Sequence, residues 1–156
     1  MTDTRALDLL VEQTKEALEH AAVDLANSRR TEQQARDHLK VLEGYRADYA
    51  RERQRLMRAG ISPMTFSHYR GFIDMLDAGI AQAMQTLRQQ ESAVESNQTN
   101  LRDQHVKLNS FETLIERRAQ SAKVAENRSE QRKTDEMSAQ MRLRQSSRHD
   151  TFTPGF

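Results

Sequence analysis

Residues 56–66 read Leu56-Met57-Arg58-Ala59-Gly60-Ile61-Ser62-Pro63-Met64-Thr65-Phe66, and this stretch decides the fold. Gly60 suits the left-handed position just past a helix end. Ser62 can cap the next helix, and Pro63 fits its first position, where a missing N–H costs nothing. On either side nothing stops a helix for tens of residues. The pattern predicts helix 1 over about 4–58, a turn at 59–62, helix 2 over about 63–147 and a disordered tail at 148–156. At 1.5 Å per residue, helix 1 would span roughly 80 Å.

Outward from the turn, apolar residues recur every seven positions. Helix 1 carries the series Leu7, Thr14, Ala21, Ser28, Ala35, Leu42, Tyr49, Leu56, with a second series of Val11, Leu18, Leu25, Glu32, Leu39, Arg46, Arg53. Helix 2 carries Phe66, Ile73, Ile80, Leu87, Val94, Leu101, Leu108, Ile115, Ala122. Its second series is Tyr69, Leu76, Ala83, Gln90, Asn97, Gln104, Phe111, Arg118, Ala125. Alternating spacings of three and four over this length mark a left-handed coiled coil. A turn this short folds helix 2 back along helix 1, pairing positions whose numbers sum to roughly 122. Ser28 and Glu32 then fall opposite the stretch holding Gln90 and Asn97, and Gly44 falls nearly opposite Gly79. Arg46 interrupts its series while Tyr45 stands one position earlier, so the seam is expected to drift there. The expected fold is all-α: a long antiparallel two-helix coiled-coil hairpin forming one domain over 1–147. Helix 1 can cover helix 2 only to about 118, which leaves 119–147 as an unpaired C-terminal helical extension.

Composition agrees. The chain has 156 residues, of which 36% are hydrophobic and 30% charged, too little apolar material for a globule of this size. Five glycines and two prolines favour helix over disorder. The absence of cysteine removes disulfide and thiolate chemistry. No apolar run of about 18 residues exists, and the start lacks a basic region before an apolar stretch, so neither a membrane span nor a secretory signal is expected. With 24 basic and 23 acidic residues the charge is too even for a nucleic-acid binder. By segment the net charge is 0 over 1–58, −2 over 59–115 and +3 over 116–156. Five scattered histidines make no metal site; Glu16 and His20, four apart, read as a surface contact. There is no phosphate loop, no catalytic triad and no enclosed pocket, so neither an enzyme nor a cofactor is expected.

Three features remain. Gly44, Gly71 and Gly79 lie inside predicted helices; they indicate either close backbone approach or a shallow recess. Aromatics gather at the turn end: Phe66 and Tyr69 are expected to wrap the turn, whereas Tyr45, Tyr49 and Phe72 exceed what a two-stranded coil can bury and suggest a binding surface. The segment 125–136 is polar on every side, as a solvated helix would be.

On Leu39-x-x-Leu42-x-x-Tyr45-x-x-x-Tyr49, Gly60-Ile61, Tyr69-x-x-Phe72-Ile73-x-x-Leu76 and Ala125-Glu126-Asn127-Arg128 with Gln131-Arg132-Lys133-x-Asp135-Glu136, the chain resembles the FliJ family of the bacterial flagellar type III export apparatus. The resemblance implies a cytoplasmic coiled coil similar to the stalk of the rotary ATPase gamma subunit. It would associate with the membrane-embedded apparatus through protein partners. Those partners would be the export ATPase FliI, the export gate protein FlhA and flagellar substrate chaperones, with ATP hydrolysis belonging to FliI. Carried over by position, Leu42, Tyr45, Tyr49, Phe72 and Leu76 would form the gate-binding surface. His38, Gly79 and Ala83 fall on the same surface but depart from the family's residue types. The ATPase contact would use the paired termini: Leu7 and Val11, with Glu126, Asn127, Arg128, Gln131, Lys133 and Asp135. Two other readings are a structural coiled coil that self-associates through 119–147 and the equivalent stalk of a virulence-type secretion system. The tail's thin apolar content (Val124, Ala125, Met137, Met141, Leu143) weakens the first, and a tail of lesser resemblance weakens the second.

Overall fold

The computed structural model describes residues 2–149, all of them helical except the short turn. Helix α1 runs Thr2–Ala59 and α2 runs Pro63–His149. The expected disordered tail falls outside the described residues from 150 onward, while Arg148 and His149 belong to the last turn of α2. The turn forms as its residues dictate. Gly60 takes φ +87°, a conformation that costs L-residues with a Cβ. The Ser62 hydroxyl accepts a hydrogen bond from the Thr65 amide at 3.2 Å, and the Phe66 amide donates to the Ser62 carbonyl at 3.0 Å. The first satisfies an amide that the start of α2 would otherwise leave orphaned, and the second is the helix's first backbone bond.

The fold is an all-α antiparallel hairpin divided into two compact units. The larger, Glu12–Leu108, contains the turn. Its buried side chains are Thr14, Ala21, Leu25, Ile73 and Ala83, each on one of the seven-residue series. Cross-helix bonds fix the register: Arg46 pairs with Asp77, Arg36 reaches Glu91 at 3.5 Å, and the Asn97 amide donates to the Asp24 carbonyl at 3.4 Å. The polar seam is therefore satisfied locally, because Glu32 binds Arg36 and the Ser28 hydroxyl donates to the Leu25 carbonyl. The seam drifts at Arg46, but not toward Tyr45, which stands 54% exposed; the half-buried positions there are Ala47 and Ala50. Small side chains let the helices pass an arginine that leans out to Asp77.

The smaller unit comprises Met1–Val11 and Asn109–Phe156. Within it Leu7 and Val11 are buried, and Arg118 pairs with Asp3 at 3.3 Å. From Glu116 to His149 every described residue is exposed, so α2 continues unaccompanied. Among the described residues no helix is long and apolar enough to cross a membrane, and no group of three or more His, Asp or Glu is placed to hold a metal ion.

Candidate docking surface

The larger unit has two chemically different flanks. Residues that immediately follow a seam position include Arg36, Asp77 and Glu91, and the cross-helix ion pairs gather there. Residues that immediately precede one include His38 and Tyr45 on α1, with Phe72, Gly79 and Thr86 on α2. Antiparallel packing brings these two sets to one side. Counting the positions before the second series of α1 (His38, Tyr45, Glu52) and before the first series of α2 (Thr65, Phe72, Gly79, Thr86), this flank carries one charged residue, Glu52.

Two hollows open on this sparsely charged flank. One, of about 340 Å³, is lined by Ala35, His38 and Leu42 from α1 and by Gly79, Gln82, Ala83 and Thr86 from α2. It exists because small residues face one another: the nearest atom to a Cβ built at Gly79 would be Leu42 Cδ1, at 3.9 Å. A Cβ at Gly44 or Gly71 would meet nothing within 4 Å beyond its own helix, so close backbone approach explains neither. The other hollow, of about 260 Å³, lies among Tyr49, His68, Tyr69 and Phe72. The Tyr49 ring is 4.4 Å from Phe72 and 6.2 Å from Tyr69, centroid to centroid. Such tilted pairs hold rings in place beyond what burial alone provides. Ile73 turns inward, and its neighbour Phe72 is left 37% exposed.

Of the residues carried over to a gate-binding surface, His38, Leu42, Gly79 and Ala83 share the first hollow, while Tyr49 and Phe72 share the second. Tyr45 is exposed and Leu76 half-buried, and neither lines a hollow. Residues not singled out from sequence are Ala35, Gln82 and Thr86 in the first hollow and His68 in the second. Their signal was available: Ala35 is itself a seam position, and His68, Gln82 and Thr86 each immediately precede one.

In the smaller unit the expected ATPase contacts divide. Leu7 and Val11 are 8% and 9% exposed, so their side chains are committed to the seam. Glu126, Asn127, Arg128, Gln131, Lys133 and Asp135 are all exposed. Arg128 also lines a shallow hollow with Arg117, Gln120, Ser121, Val124 and Ala125.

The family model described as flagellar FliJ protein matches residues 3–147. The chain belongs to the flagellar FliJ family. The flagellar FliJ protein of Escherichia coli (strain K12) is 33% identical to it over 144 residues, which is 92% of this chain and 98% of that protein. The flagellar FliJ protein of Salmonella typhi is 31% identical over the same coverage. Similarity to FliJ thus takes in both helices and the turn between them.

Proposed function

We propose that this chain is a non-enzymatic flagellar export factor of the cytoplasm. It couples the export ATPase FliI to the gate protein FlhA and escorts flagellar substrate chaperones. The observation that supports this most is the sparsely charged flank between positions 38 and 86, where two hollows and the exposed Tyr45 ring stand in a chain that is 30% charged. Exposed aromatic and aliphatic groups around small hollows are what a protein partner's side chains fill. The ATPase contact is assigned to the exposed face around Glu126–Asp135, with Leu7 and Val11 holding α1 against α2 beside it. ATP hydrolysis remains the work of FliI, and this chain transmits its effect through contacts that differ between partner states.

The test is a pull-down with purified FliI and the cytosolic domain of FlhA. Tyr45→Ala/Tyr49→Ala should weaken the gate contact by roughly tenfold or more, as loss of interface hot spots does, and spare FliI. Truncation after Arg118 should do the reverse. If neither variant loses either partner, the assignment fails. Because the flank carries a single charged residue, the gate contact should change little between low and moderate salt, and the ATPase contact should weaken.

A further inference from the structure

From Arg53 to Ile73 the chain contains no acidic residue, yet it carries Arg53, Arg55, Arg58, Arg70 and His68. These 21 residues surround the apex of the hairpin, in a protein whose whole net charge is only +1. Helix electrostatics account for half of this run. Arg58 in the last turn of α1 complements the negative helix end. The start of α2 is a place for acidic residues, and its first turn has none; His68 and Arg70 follow in the second. Arg55 is held by Glu52, whereas Arg58 and Arg70 are exposed and form no ion pair among the described residues. The same apex displays Met64, which at 81% is more exposed than the other exposed large hydrophobic residues, and Met57 at 53%.

We infer that the apex docks directly on the anionic headgroups of a phospholipid bilayer, with Met57 and Met64 entering the interface and the arginines ringing it. Exposed methionines beside arginines match what an anionic bilayer surface offers, apolar depth beneath a plane of negative charge. Arg58 stands within about one turn of the apex and Arg70 within about 10 Å along α2, so both lie about a Debye length or less from a surface the apex touches. The inference does not rest on the gate-binding reading, because it uses the end of the hairpin and not its flank.

The experiment is co-sedimentation of the full chain with vesicles of phosphatidylcholine, alone or mixed with phosphatidylglycerol, at low and high salt. Binding is expected only to the anionic vesicles and should fall with salt. Arg58→Glu/Arg70→Glu should lower it by roughly tenfold or more, since each arginine near an anionic surface adds several-fold to affinity. Met64→Ser, at a side chain that packs against little, should lower it severalfold while leaving helix content and thermal stability unchanged. The reversal Arg142→Glu/Arg144→Glu/Arg148→Glu in the C-terminal stretch should leave it intact. Equal binding to neutral vesicles, loss through the C-terminal reversal instead, or no effect of either apex variant would overturn the inference. So would capture by immobilised polyglutamate without vesicle binding, which would give the apex to an acidic protein.

Discussion

Gly60 acts through its backbone, whereas the other helix-bounded glycines act, if at all, through the space they leave. At φ +87° a Cβ is disfavoured, so Gly60→Ala should destabilise the hairpin by about 1 kcal/mol in urea denaturation followed by circular dichroism. Gly44→Ala should do the opposite, gaining up to about 1 kcal/mol of helix propensity, because nothing lies within 4 Å of the added methyl group. Gly79→Ala separates two properties. It meets Leu42 at ordinary contact distance, so stability should rise by a similar amount, about 1 kcal/mol, while the filled hollow should bind the gate domain less well. Only the first of these glycines was legible, because Ser62-Pro63 two residues later states what Gly60 is for. Nothing beside Gly44, Gly71 or Gly79 in the sequence says what they face. Near the turn, the hydrogen bond from Arg55 holds the Glu52 carboxyl below the ordinary glutamate range and raises the Arg55 guanidinium. The stabilisation linked to Glu52 is present above the unfolded-state pKa and is lost as pH falls through the lower folded value. A carbon-detected NMR titration should show Glu52 protonating below the ordinary range of a glutamate side chain, and Arg55→Gln should move its midpoint up.

Between the helices, the seven-residue repeat carried most of the information. Leu7, Val11, Thr14, Ala21, Leu25, Ile73 and Ala83 are the buried side chains among the described residues, and periodicity placed all seven in the seam. The exception at Arg46 shows why the remainder was hidden. Periodicity ranks positions by polarity, but Ala47 and Ala50 reach the contact by being small, and Arg46 leaves it because Asp77 waits across the groove. The hollows were partly legible for the same reason: Leu42, Tyr49 and Phe72 stand out by type, while Ala35, Gln82 and Thr86 become visible only once the register is known. Ile73, at 4% exposure, should be the most costly of these to truncate, with Ile73→Ala losing about 2–4 kcal/mol. Hydrogen exchange should be slow around Ala21–Leu25 and Ile73–Ala83 and fast throughout 119–149, where no side chain is buried.

Across the whole chain, removal of residues after Arg118 should leave the melting temperature nearly unchanged, because the segment contributes no buried side chain. A larger consequence follows from the seam. No side chain among the described residues is wholly enclosed, and contact is confined to about two positions in every seven. Substitution is thus cheap almost everywhere, but removing a single residue swings all that follows by about 100° around the helix axis. Deleting Gln34 should consequently cost far more cooperativity in thermal melting than Gln34→Ala. The same asymmetry describes how such chains diverge. Two relatives that share only a third of its residues nevertheless align with it along 98% of their length. In a molecule without an interior, selection counts residues more strictly than it inspects them.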